Sequence, residues 1–182
     1  MSKNNTCYIC FMKIFLMGYM GSGKSTIGKL LASKLHLNFT DFDDYIETWE
    51  KKTVADIFEN EGEDKFRQLE HIYLKEIILK DNTVISLGGG TPCFNNNIEI
   101  INKNGISVFI EMDAAALAKR LIKAKRKRPL IQGMNEVDLK FFIDANLEKR
   151  STFYSQAHYI VKSENRSAEE LAEKLKQLME KK

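Results

Sequence analysis

The chain has 182 residues, 43% of them hydrophobic and 29% charged, with a net charge of +3. That length suits one domain with a proper core, and the hydrophobic share excludes a disordered chain. The basic excess, 28 Lys and Arg against 25 Asp and Glu, is too mild to argue for nucleic acid and suits a protein whose ligands are anions. No apolar run is long enough to span a membrane, three cysteines make no disulfide framework, and the apolar start runs on without a small-residue cleavage site. A cytoplasmic protein is expected, with neither membrane nor nucleic acid as partner.

Residues 1–11 read as an extension ahead of the first strand, and the lone Cys7-x-x-Cys10 within it as incidental thiols. The run Ile14-Phe15-Leu16-Met17 predicts a short buried strand, and the apolar spacing from Thr26 to Leu35 predicts a helix. Between them, Gly18-Tyr19-Met20-Gly21-Ser22-Gly23-Lys24-Ser25 fits G-x-x-x-x-G-K-S/T, the phosphate-binding loop, in the strand–loop–helix setting it needs. Its glycines let backbone N–H groups turn in around phosphate oxygens, and the helix start adds further N–H groups and its dipole. Lys24 is placed to reach the β- and γ-phosphates, and the Ser25 hydroxyl to ligate Mg²⁺. A nucleoside triphosphate site is expected.

Leu37 to Thr40 predicts a second strand, ending in Asp41-Phe42-Asp43-Asp44. In extended structure Asp41 and Asp43 point to one side, one to hold Mg²⁺ through water and the other to bind an acceptor hydroxyl. The same residues read equally well as a helix N-cap with an acidic first turn. A short helix capped from Thr53 and ending near Gly62 precedes a long amphipathic helix from Glu63 to Lys80. There Arg67 and Glu70, three apart, are close enough to pair, and spacing alone favours a solvated surface pair. Thr83 to Leu87 predicts a buried strand stopped by Gly88-Gly89-Gly90, where a bulge or a closely approaching ligand would justify three glycines.

A helix from Asn95, a strand from Ile106 to Met112 and a helix over 114–124 capped by Asp113 follow. The basic stretch from Lys123 to Arg128, ahead of Pro129, has no interleaved aromatic residues. It reads as a mobile lid, about 123–136, rather than a nucleic-acid patch. A helix from Val137 to about Ser155, a strand from His158 to Val161 and a terminal helix opened by the Ser167-x-x-Glu170 capping box complete the chain. Five strands alternating with helices argue one α/β domain over 12–182: a five-stranded parallel sheet sandwiched by helices, with ligands at the carboxyl ends of the strands. A GTPase is disfavoured, because Asn102-Lys103-Asn104-Gly105 lacks the Asp of a guanine-reading N-K-x-D.

Taken together, the phosphate loop, Asp41-x-Asp43, Phe66-Arg67-x-x-Glu70, Gly88-Gly89-Gly90 and Arg128-Pro129-Leu130 resemble the shikimate kinase family from about Met12 to Lys176. The resemblance implies a P-loop fold like that of nucleoside monophosphate kinases, with a mobile lid. It implies transfer of the ATP γ-phosphoryl group to the 3-hydroxyl of shikimate, in chorismate and aromatic amino-acid biosynthesis. Lys24, Asp43 and Arg128 would be catalytic. Gly21, Ser22, Gly23, Lys24, Ser25, Thr26, Arg120 and Arg128 would bind ATP. Asp43, Arg67, Gly88, Gly89, Gly90 and Arg150 would bind shikimate, the two arginines gripping its carboxylate, while Ser25, with Asp41 through water, would hold Mg²⁺. A monomer is expected. Two rivals stay open: a gluconate or nucleoside monophosphate kinase on the same scaffold, and a nucleotide-binding regulatory protein without turnover.

Overall fold

Alternation along β1 (Lys13–Met17) decides the layering. Ile14 and Leu16 face one side of the sheet, Phe15 and Met17 the other, and all four are fully buried. A strand that is apolar on both faces belongs inside a parallel sheet covered by helices. In the computed structural model, residues 12–124, 131, 133–163 and 166–180 are described. The expected extension 1–11, both cysteines in it, and residues 125–130 of the expected lid, Arg128 among them, lie outside the described residues.

After β1 come α1 (Lys24–Leu35), β2 (Asn38–Asp41), α2 (Phe42–Glu50), α3 (Val54–Ile77) and β3 (Thr83–Ser86). A 3-10 turn at Thr91–Cys93 leads to α4 (Asn97–Asn104), β4 (Ile106–Glu111), α5 (Ala114–Ile122), α6 (Glu136–Tyr154), β5 (Tyr159–Lys162) and α7 (Ala168–Glu180). The five strands are all parallel, in the order β2-β3-β1-β4-β5. On one face, Ile14 and Leu16 pack with Ile27 and Leu31 of α1 and Leu171 and Leu175 of α7. On the other, Phe15 and Met17 meet Ile46 of α2, Leu74 of α3 and Ile101 of α4. A third cluster joins Tyr19 and Met112 to Leu117 of α5 and Ile143 of α6.

Helix starts follow the chemistry of their first residues. Thr53 and Asp56 form a reciprocal capping box, as do Ser167 and Glu170, and the Asp113 carboxylate accepts from Ala116 N at 2.7 Å. The two helices expected on either side of Gly62 run on as α3 but with a break, since Gly62 has φ 85° and ψ 169°. Only glycine adopts that backbone region readily.

The break redirects the second half of α3, which carries Arg67. Gly62→Ala is expected to cost about 1–3 kcal/mol of stability, read from urea denaturation. A Cβ there would meet nothing within 4 Å, so the loss would come from the backbone alone. An unchanged unfolding midpoint would show that the break is not imposed by Gly62.

Candidate active site

The phosphate loop leaves β1 at Gly18 and reaches α1 through Gly23, whose left-handed backbone (φ 94°, ψ 11°) forms the N-cap. Among the described residues no side chain caps α1, and its first turn holds no acidic residue. The first N–H groups and the positive dipole end are therefore left for an anion. Lys24 is buried, and its Nζ donates to the Gly18 and Tyr19 carbonyls at 2.8 and 3.1 Å. The ammonium thus rests over the loop it would serve. Ser22 is buried, and its Oγ has no hydrogen-bond partner among the described residues. Thr26 and Arg120 are exposed, and Arg120 Nη1 lies 3.7 Å from where a Gly23 Cβ would sit.

Ser25 Oγ donates to Asp41 Oδ2 at 2.6 Å and lies 3.3 Å from Ser86 Oγ at the end of β3. Asp41 is the N-cap of α2, its Oδ1 accepting from Asp43 N at 3.2 Å. Of the two readings open for Asp41 and Asp43, the helix N-cap holds and the extended one does not: Asp43 stands in the first turn of a helix. The cap bond turns the chain there, so the two carboxylates diverge, Asp41 toward Ser25 and Asp43 toward the glycine triplet. A Cβ added at Gly88 would lie 2.9 Å from Asp43 Oδ1.

Arg67 and Glu70 are likewise not the solvated surface pair that spacing favours. Arg67 is 8% exposed, Glu70 0%, and Arg67 Nη1 reaches Glu70 Oε2 at 2.6 Å. Arg67 Nε and Nη2 both donate to Glu63 Oε1, at 3.1 and 2.7 Å, and the Phe94 ring stands 4.5 Å from the guanidinium carbon. Burial pushes the Glu70 carboxyl above the ordinary range, against the pull of the Arg67 charge and a bond from the Thr91 hydroxyl. Burial also pushes the nearby Cys93 thiol up to about 11, so it stays neutral at ordinary pH.

The three glycines are where these groups converge. A Cβ at Gly90 would sit 2.6 Å from Arg67 Nη1, and one at Gly89 would sit 3.3 Å from Arg150 Nη1 and 3.4 Å from the Gly18 carbonyl. Side chains at these positions would fill the space between the phosphate loop and both arginines. Arg150, on α6, lies over the Tyr19 ring at 5.2 Å, and Tyr154 one turn further on donates its hydroxyl to the Gly89 carbonyl at 2.5 Å. Glu63, Thr91, Phe94 and Tyr154 escaped sequence reasoning. Glu63 stands one turn before Arg67 and Tyr154 one turn after Arg150, a spacing that could have flagged both.

The arrangement places an anion cradle beside the glycine triplet, where Arg67, Arg150 and the Asp43 carboxylate converge, which suits phosphoryl transfer to a hydroxyl of an anionic small molecule. Residues 20–180 match the family described as Shikimate kinase. The shikimate kinase of Azobacteroides pseudotrichonymphae is 50% identical over 149 residues, 81% of this chain and 88% of that protein. Among solved structures, shikimate kinase from Bacteroides thetaiotaomicron matches with a TM-score of 0.89 at 44% identity, over 93% of this chain and 99% of that one. Shikimate kinase from Acinetobacter baumannii, solved in complex with shikimate, matches with a TM-score of 0.87 at 32% identity, over 96% of both chains. By its fold, its motifs and these relatives, the chain belongs to the shikimate kinase family.

Proposed function

We propose that Lys24, Asp43 and Arg128 carry the reaction of this family in this chain: transfer of the γ-phosphoryl group of ATP to the 3-hydroxyl of shikimate. The observation that supports it best is the convergence of Asp43, Arg67 and Arg150 on the glycine triplet, next to the phosphate loop. The loop from Gly21 to Thr26 and the start of α1 hold the ATP phosphates, Lys24 exchanging its carbonyl partners for phosphate oxygens. Arg120, beside the loop, flanks the adenine. Arg67 and Arg150 grip the substrate carboxylate, since a guanidinium matches a planar carboxylate with paired donors. Gly88, Gly89 and Gly90 allow the substrate close to the backbone, and Asp43 orients the acceptor hydroxyl by accepting its hydrogen bond. A loose phosphoryl-transfer transition state asks for positioning and charge neutralisation rather than early proton removal.

The donors at the loop fit magnesium: Ser25 Oγ and Asp41 Oδ2 are hard oxygens in contact at 2.6 Å. Ser25 would hold the ion directly and Asp41 through water, and the bound ion would neutralise charge on the β- and γ-phosphates. The acting protein is a cytoplasmic monomer whose catalytic domain spans 12–182, with 1–11 as an extension. No helix among the described residues is long and apolar enough to cross a membrane.

Arg150→Ala is expected to raise the KM for shikimate, costing about 2–5 kcal/mol of binding, with a much smaller effect on the KM for ATP. Arg67→Ala should show the same split. It should also lose about 3–5 kcal/mol of stability, because Glu70 would be left buried without its charge partner. Steady-state kinetics with each substrate varied in turn checks both. Equal weakening toward ATP and shikimate would contradict the carboxylate role.

Arg128, in the lid, is proposed to reach the transferring phosphoryl group only on closure. Arg128→Ala should lower kcat by about 10³-fold or more while ATP titrations shift modestly, and Arg128→Lys should rescue it poorly. Lys127→Ala should be nearly silent. Equal damage from Lys127→Ala would mean that the lid acts through diffuse charge.

A further inference from the structure

The roles above leave unexplained the polar groups behind the glycine triplet. Glu70 is fully buried, and a carboxylate removed from water needs compensation. Two groups bond to it directly: Arg67 Nη1 on Oε2 and the Thr91 hydroxyl, which donates to Oε1. Thr91 is itself fully buried, and its carbonyl accepts from Asn97 Nδ2 at 2.9 Å. Asn97 Oδ1 in turn meets Nδ1 of His71, the residue after Glu70 on α3, at 2.7 Å. The chain of contacts leaves α3 at Glu70, passes through Thr91 and Asn97, and returns to α3 at His71.

Arg67 explains why such bracing is useful. A guanidinium has five N–H donors. Nε and Nη2 each give one to Glu63, and Nη1 gives one to Glu70. One N–H remains on each Nη to donate to a substrate carboxylate. Resting on the proposed role of Arg67, we propose that Thr91 is a positioning residue for the acceptor site, its hydroxyl holding Glu70 so that Glu70 aims Arg67 at the substrate carboxylate.

The groups facing Glu70 are Arg67 on its own helix, Thr91 and Cys93 of the turn after β3, Asp43 of α2 across Gly88, and Arg150 of α6, with His71 beside it in sequence. Burial raises the Glu70 carboxyl, while the Arg67 charge, the Thr91 bond and Arg150 oppose the rise. The ionised, aiming form is therefore present above the Glu70 pKa and lost as pH falls through it. Removing the Thr91 hydroxyl removes one opposing cause, so the loss should begin at higher pH.

Thr91→Val removes the donor at similar volume, and Thr91→Ser keeps it. Kinetics across pH, varying shikimate and ATP separately, should show a KM for shikimate raised about tenfold in Thr91→Val, an unchanged KM for ATP, and an acid limb of kcat/KM for shikimate moved to higher pH. Thr91→Ser should restore both. In a Glu70→Ala background, which leaves the hydroxyl no carboxylate to hold, Thr91→Val should add nothing. An acid limb that stays in place, or a serine variant as impaired as the valine, would overturn the proposal. If the valine variant does not fold, Thr91→Ala is read by the same two outcomes. Direct titration of wild-type protein with shikimate separates the causes of failure. Absent binding would fail the site itself, whereas intact binding with a silent Thr91→Val would fail only the role of Thr91.

Discussion

The register between β1 and β3 governs everything at the site. Leu16 lies opposite Ser86, and Leu87 N donates to the Leu16 carbonyl at 3.0 Å. Two residues past that pairing, both chains become glycine: Gly18 opens the phosphate loop and Gly88 opens the triplet. They leave the sheet at the same height, so the Gly18 carbonyl and Gly89 are near neighbours. A slip of one residue would send every side chain of β3 to the opposite face, turning Ser86 away from Ser25 of α1. Ligand sites gather at the carboxyl ends of parallel strands, and here the phosphate loop and the glycine triplet follow adjacent strands.

Buried charge is concentrated beside the glycine triplet, where Arg67 and Glu70 both lie. Removing a carboxylate and a guanidinium from water is expensive, and the pair offsets that only with good geometry and further hydrogen bonds. Arg67 and Glu70 have both, through Glu63, Thr91 and the Phe94 ring. Such a pair is a poor device for stability and a good one for direction, because it fixes where the free guanidinium N–H groups point. The glycines then matter for what they lack: a Cβ at Gly90 would collide with Arg67 itself.

The sheet, the layering and the phosphate loop were legible because each rests on local pattern. Four apolar residues before the glycines mark a buried strand, and Lys-Ser after the last glycine marks the loop. Legibility failed where tertiary contact overrides spacing. Arg67 and Glu70 at i,i+3 look like any surface pair, and only the packing of α4 and the turn after β3 against α3 buries them. Asp41 and Asp43 fitted a strand end and a helix cap equally well, and a bond to a backbone N–H two residues on decided for the cap. Thr91 carries no motif, and the role proposed for it rests on contact with Glu70, twenty-one residues away in sequence.

Arg67, Arg150 and the Asp43 carboxylate, beside the phosphate loop, are proposed to select an anionic acceptor and orient its hydroxyl. Coupled ADP release, with shikimate, shikimate methyl ester, gluconate and nucleoside monophosphates offered separately, tests this most directly. A site built around a carboxylate should reject a ligand without one, since its charged groups would be left unpaired. Rapid ADP release with shikimate and very slow release with the ester and the other acceptors is the result this account predicts. Turnover of the ester as fast as the free acid, or preference for a nucleoside monophosphate, would contradict it.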